Sequence, residues 1–255
     1  MAEKYWVPAI ERTNLVINLI AKEPGKHKLI DLSKALNINK STMFSLLNTL
    51  EVLGWVVKGN GDTYKLGPTL GSYSAAYFRQ FNILQSFYLE AAKSVDKIHE
   101  TIQLGILQGT NVVYLAKEES KSRVRLVTDP GMQFPAHASA IGKIQLIQYD
   151  YDELNNLYPD DHLFQLTPRT LKNVEELWKE LESAKKTGYI CEEQEGTDEF
   201  YCVAAPIYNH ENELIAGVSF AMLEHSWKEK KERAIAEIID LGRRLSIQSG
   251  CVDYN

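Results

Sequence analysis

Cysteine is scarce in this 255-residue chain: Cys191, Cys202 and Cys251 make up the whole complement, with no CxxC pair and no zinc-type spacing. So sparse and odd a count argues against a disulfide scaffold and fits a reducing compartment. Long apolar runs are missing as well. No stretch approaches the roughly 18 residues needed to cross a bilayer, and the opening MAEKYWVPAIERTN lacks the apolar centre of a secretory signal. These absences lead to the expectation of a soluble, cytoplasmic protein with no membrane partner. There is no GxSxG, no P-loop and no GxGxxG, which removes the common nucleophile and nucleotide signatures. Internal repeats and low-complexity tracts are absent too. At 44% hydrophobic and 24% charged, the chain has ample material for buried cores, and its length suits one large domain or two smaller ones.

Positive charge is in short supply overall, with a formal net charge of -6. The sum hides a division. Residues 1–67 hold nine Lys/Arg against six Asp/Glu, a balance of +3, whereas residues 68–255 hold nineteen against twenty-eight, a balance of -9. Contact with phosphate depends on the local field, so a mildly basic head on an acidic body is compatible with DNA.

That head reads as three helices and a hairpin. Pro8–Lys22 has apolar residues at Ile10, Val16, Ile17, Leu19 and Ile20, with Pro8 at a helix start and Pro24-Gly25 as the stop. Leu29, Leu32 and Leu36 mark a short second helix, and Asn37-Ile38-Asn39 a turn whose Ile38 can plug the angle between helices. A third helix from Lys40 to Leu53 carries one apolar stripe, Met43, Leu46, Leu47, Leu50 and Leu53. The stripe leaves Lys40, Ser41, Thr42, Phe44, Ser45 and Asn48 facing outward. Beyond Gly54, strands Trp55–Val57 and Thr63–Leu66 flank Gly59-Asn60-Gly61-Asp62, a hairpin signal. Three helices and a glycine-tipped hairpin make a winged helix-turn-helix, in which the third helix enters the major groove and Lys58 on the wing meets the backbone. The competing reading is a small helical bundle for protein interaction.

Pro68–Asn82 reads as a connecting helix. Tyr73, Tyr77 and Phe81 share one face at a spacing of four, suited either to packing within the chain or to a dimer contact. From Ile83 the pattern is mixed. A helix over Ile83–Glu100 precedes strands at Gln103–Leu107, Val112–Lys117 and Val124–Thr128. Helices follow over Ser139–Gln148, after Asp150, and over Leu171–Thr187 with Gly188 as its stop. Strands Cys202–Tyr208 and Leu214–Met222 and a final helix Trp227–Ile247 complete an α+β domain. The resulting division is 1–67 for the winged helix, 68–82 for the linker helix and 83–255 for the second domain.

In the head, LSKALNINKSTMFSLLNTLEVLGWV followed by YKLG, and in the body PAHASAIGK, Thr167-Pro168-Arg169-Thr170, GYICEEQE and CVAAPIYN, resemble the IclR family of bacterial transcriptional regulators. The resemblance runs over nearly the whole chain. It implies a winged helix, a linker helix and a GAF-like effector-binding domain, and a homodimer or homotetramer acting as a repressor on double-stranded operator DNA with an inverted repeat. It also implies a small organic-acid effector and no cofactor. The family places effector contacts at the backbone of Ala140 and Ile141 and at Glu192, Cys202 and Ser219, with apolar walls at Leu126, Phe134 and Phe200. Where relatives often carry arginine after the aromatic position of the third helix, this chain has Ser45.

The free N–H groups behind Ser139 independently suit a carboxylate. An alternative class is a hydrolase fused to a DNA-binding head. It would pair Cys202 or Ser139 with His137 and use Glu192 as the orienting acid, or it would place a metal between His137, Glu192 and Glu193. Nothing around Cys202 resembles a nucleophile elbow and no ligand spacing supports the metal, so the regulator is the expected class.

Overall fold

The computed structural model describes residues 6–80, 82–121, 128–160 and 162–252, with the backbone alone at 74–75 and 77–80. The chain divides into two compact units, Met1–Gln80 and Phe81–Asn255.

In the first unit, α1 (Pro8–Lys22), α2 (Leu29–Ala35) and α3 (Lys40–Val52) enclose a core of Val16, Ile20, Leu32, Met43, Leu47 and Leu50. Each such side chain contributes about 1.5–3 kcal/mol by leaving water. The α2–α3 turn is clamped by Ser33, whose hydroxyl donates to the Ile38 carbonyl at 2.6 Å and whose carbonyl accepts the Ile38 N–H at 3.0 Å. Asn37 takes a left-handed φ of 50°, a conformation asparagine tolerates, and Ile38 packs partly buried against the core. Asn39 caps α3, its Oδ1 accepting the Thr42 N–H at 2.8 Å.

Two residues of the expected apolar stripes turn outward. Ile10 is 68% exposed, because six residues before Val16 it lies roughly a third of a turn around the helix. Leu53 is 49% exposed, since α3 ends at Val52. The left-handed Gly54 (φ 70°) then redirects the chain; a Cβ there would also sit 2.5 Å from the Thr69 hydroxyl. The hairpin forms one residue later than expected in its first strand: β1 (Val56–Lys58) pairs with β2 (Tyr64–Leu66) through Val56↔Leu66 and Lys58↔Tyr64. Helix α4 (Pro68–Gln80) follows, and Tyr73 sets its ring edge-on to Trp55 at 6.2 Å. The rest of the expected aromatic stripe, the Tyr77 side chain and Phe81, lies outside the described residues.

The second unit is a six-stranded antiparallel sheet with helices on both faces. In chain order its elements are α5 (Ile83–Ile98), β3 (Thr101–Gln108), β4 (Asn111–Glu118), β5 (Gln133–Pro135), α6 (Ala140–Leu146) and α7 (Tyr151–Leu157). Then come α8 (Val174–Thr187), β6 (Ile190–Glu193), β7 (Phe200–Tyr208), β8 (Leu214–Leu223) and α9 (Glu224–Gln248). The strand order is β5-β4-β3-β8-β7-β6. Alternation along the strands sorts the residues. Ile102, Leu104, Val203, Ala205, Val218 and Phe220 pack with α5 and α9, while Cys202, Ala204 and Ala221 face the α6–α8 layer.

Strands β5 and β6 were not among the expected elements. Both are sheet edges; Pro135 at the end of one and the charged ICEE of the other lack the apolar alternation of a central strand. Of the strand expected at Val124–Thr128, only Thr128 lies among the described residues.

Candidate functional site

On α3, Lys40, Ser41, Phe44, Ser45 and Asn48 are exposed and Thr42 is half-buried. The first turn contains no acidic residue, so the positive end of the helix keeps its charge. Two hydroxyls have internal partners: Ser41 donates to Asn39 Oδ1 at 2.9 Å, and Thr49 to the Ser45 carbonyl at 2.9 Å. On the wing, Lys58 is ion-paired with Asp62 at 2.8 Å, an interaction that raises the lysine pKa and lowers that of the carboxylate.

The second unit contains a cavity of about 300 Å³ between the sheet and α6. Phe134, Ala140, Ile141, Glu192, Phe200, Cys202 and Ser219 all line it. Of the sequence-expected effector residues only Leu126 lies outside the described residues. Gln103, Tyr114, Thr128 and Thr197 line it as well and were missed. Gln103 is an amide inside the apolar run of β3, and the structure pairs it in register with Ser219. Gln103 Nε2 donates to the Thr128 hydroxyl at 2.6 Å, and the Ser219 hydroxyl donates to Gln103 Oε1 at 3.3 Å. A polar row thus crosses an otherwise apolar floor.

One wall is the start of α6. Ser139 caps it, its Oγ accepting the Gly142 N–H at 3.1 Å, so the N–H groups of Ala140 and Ile141 at the helix start have no intrahelical acceptor. Residue 142 has to be glycine: a Cβ would lie 2.4 Å from both Cα and O of Ala136, in the one-turn 3-10 helix Ala136–Ala138 below it.

The facing wall is the turn after β6, and it is pinned from several sides. Glu192 Oε1 accepts the N–H groups of Glu195 and Gly196, the latter at 3.1 Å. Thr167 and Thr170 donate to the carbonyls of Gln194 and Glu195, each at 2.6 Å. Fully buried Lys143, on α6, reaches Glu195 and Glu180, both at 2.6 Å. Burial raises the pKa of Glu192, and it lifts that of Glu195 to about 7. Among the described residues the cavity has no cationic side chain in its lining.

Hollows of about 520, 810, 450 and 350 Å³ are larger, have more polar linings and share only Phe200 with this set.

The hydrolase reading finds no machinery. The Cys202 thiol pKa is pushed well up by burial and by Glu192, which suppresses the thiolate. The Ser139 hydroxyl is the helix cap. His137 bonds the Phe164 carbonyl through Nε2 at 2.8 Å, tying down the loop that carries it, and burial lowers its pKa. Among the described residues no three His, Cys, Asp or Glu side chains converge as metal ligands.

Comparison with known proteins decides the class. The IclR helix-turn-helix domain matches residues 9–59, and the C-terminal domain of the bacterial transcriptional regulator IclR matches residues 75–247. The chain belongs to the IclR family. Among its relatives, the HTH-type transcriptional regulator XynR of Escherichia coli (strain K12) is 31% identical over 219 residues, spanning 85% of this chain and 86% of that protein. The HTH-type transcriptional repressor AllR of the same strain is 27% identical over 244 residues, 95% of this chain and 90% of that one. The crystal structure of the Agobacterium tumefaciens repressor BlcR shares the fold, with a TM-score of 0.80 at 24% identity over 97% of this chain and 99% of the other. As an IclR-family member the chain is a DNA-binding transcriptional regulator with a C-terminal effector-binding domain, and not an enzyme. No helix among the described residues is long and apolar enough to cross a membrane.

Proposed function

We propose that this regulator is a cytoplasmic repressor whose operator affinity is set by a small organic acid bound in the 300 Å³ cavity. The observation that carries the reading is convergence. Ala140 and Ile141, Glu192, Cys202 and Ser219 lie far apart in sequence and line one hollow, whose volume is at the lower end of ligand sites. The N–H groups at the start of α6 receive the carboxylate. Ser219, Gln103 and Thr128 bond its hydroxyl or keto oxygens, and Phe134 and Phe200 cover the carbon skeleton. Ligand favours one arrangement of the segment 129–137 against β8, and the connecting segment 68–82 passes that preference from domain 83–255 to domain 1–67. A coupling of about 1–3 kcal/mol changes operator affinity roughly five- to 150-fold.

A thermal-shift screen of keto-, hydroxy- and sugar acids, followed by DNA titration with each hit, tests this. Ser219→Ala should weaken the hit about two- to tenfold, the effect of one hydrogen bond, and leave ligand-free DNA affinity unchanged. A hit that binds both proteins equally, or leaves DNA affinity unmoved, refutes the assignment.

The DNA contact is assigned to Lys40, Ser41, Thr42, Phe44, Ser45 and Asn48 in the major groove and Lys58 on the backbone. Two heads of a homodimer, alone or within a homotetramer, bind an inverted repeat, because effective concentration multiplies two modest affinities. Lys58 comes to the phosphates with Asp62 attached. Asp62→Asn should therefore tighten DNA binding and steepen its dependence on log salt by about one unit per head, as measured by fluorescence anisotropy between 50 and 200 mM salt. Unchanged affinity and slope would remove Lys58 from the interface.

A further inference from the structure

We infer that α3 discriminates A·T pairs, reading a thymine methyl group with Phe44 and an adenine edge with Asn48. This rests on the proposed entry of α3 into the major groove and goes beyond it by naming the bases.

Lys40, Phe44 and Asn48 recur at intervals of four and form one exposed row. Phe44 is 63% exposed, although its neighbours Met43 and Leu47 supply the core. The hydroxyl protons of Ser41 and Thr49 are already donated within the unit. Glu51 is exposed near the C-terminal end and Lys40 is the sole cation on the helix, so the phosphates draw in the Lys40 end and repel the other. With Lys40 turned to phosphate and Thr42 half-buried, three side chains are then left to read bases: Phe44, Ser45 and Asn48. Serine accepts or donates and selects little. A phenyl ring has no hydrogen bond to offer but packs on the thymine C5-methyl, and an asparagine amide matches adenine N6 and N7 in a bidentate pair. No arginine stands on α3, and Lys40, the one side chain there that could pair with guanine, is held by phosphate at the helix start. Four residues of helix rise by about 6 Å, roughly two base-pair steps of 3.4 Å, so the two readings fall about two pairs apart.

The test is in-vitro selection by the full-length protein from a random-sequence duplex library, repeated with Phe44→Ala and Asn48→Ala. The best duplex is then resynthesised with deoxyuridine replacing each thymidine in turn, which removes only the methyl group. Wild type should select half-sites with A·T pairs at two positions about two steps apart. Loss of one methyl per half-site should weaken its binding about fourfold, the worth of one buried methyl, and leave Phe44→Ala indifferent. Asn48→Ala should lose roughly tenfold in affinity together with its adenine preference. Half-sites whose discriminating pairs are G·C, or a methyl effect of equal size in Phe44→Ala, would overturn the inference while leaving α3 in the groove. Selection showing no sequence preference in any of the proteins would overturn the groove assignment as well. A Phe44→Ala protein that selects as wild type does but changes its oligomeric state would assign the ring to a protein contact instead.

Discussion

Lys143→Ala is expected to lower the unfolding free energy of the second unit by about 3–5 kcal/mol, the usual consequence of stranding a buried charge. Lys143 is fully buried between Glu180 and Glu195. One ammonium faces two carboxylates, and both keep it protonated against the opposing effect of burial. Glu180 is partly solvated, so the uncompensated negative charge falls on Glu195, whose Oε2 is buried and has no hydrogen-bond partner. Its pKa rises to about 7 for that reason.

The sign of the pH dependence follows. Between about 4.5 and 7 the folded protein holds a proton on Glu195 that the unfolded chain releases, so this group's contribution to stability falls as pH rises through that window. The change is about 3 kcal/mol at most, at 1.36 kcal/mol per pH unit. Urea unfolding at pH 5, 6 and 7.5 should show the decline in wild type and a flatter profile in Glu195→Gln. Equal slopes in the two proteins would show that Glu195 is ionised throughout. A Lys143→Ala protein as stable as wild type would show that the pocket wall does not depend on the ion pair.

The winged helix was legible because its rules are local. Asn37-Ile38-Asn39 is a turn, Gly54 a stop and Met43, Leu47 and Leu50 a helical stripe. Each can be recognised within a few residues. The body's motifs were legible as a resemblance, but the physics joining them was not. PAHASAIGK supplies Lys143, the Thr167–Thr170 segment supplies two hydroxyls, and GYICEEQE supplies the turn they hold. Their meeting depends on sequence separations that no periodicity reveals. The same holds for burial. Glu192 and Glu195 have the composition of a solvated edge, yet both are buried, with backbone N–H groups on Glu192 Oε1 and Lys143 on Glu195 Oε1. Edge strands β5 and β6 escaped notice because three or four residues with a proline or two glutamates carry too little alternation. Gln103 escaped notice because a polar residue in a central strand becomes informative only when its neighbour Ser219 is known.

Ala140→Leu should abolish the response to effector while leaving a regulator that still binds DNA. Ala140 is the first residue of α6, it is buried, and it lines the cavity beside Ser139 and Ile141. A leucine adds three carbons where the proposed carboxylate sits, and it blocks the N–H groups that would receive it. The loss should exceed 100-fold in ligand affinity, because the anion loses its donors as well as its space. Overpacking costs typically 1–3 kcal/mol, so the variant should melt earlier than wild type and still fold. Two measurements separate these effects. In the absence of ligand, DNA titration should match wild type, because residue 140 belongs to the second unit and the DNA contacts to the first. In the presence of a ligand that stabilises wild type, the variant should show no thermal shift, and its DNA affinity should stay at the ligand-free value. Ala140→Gly is the control. It keeps both N–H groups and enlarges the cavity, and it should bind ligand within about tenfold of wild type. A ligand that shifts wild type and Ala140→Leu equally would place the effector outside this cavity.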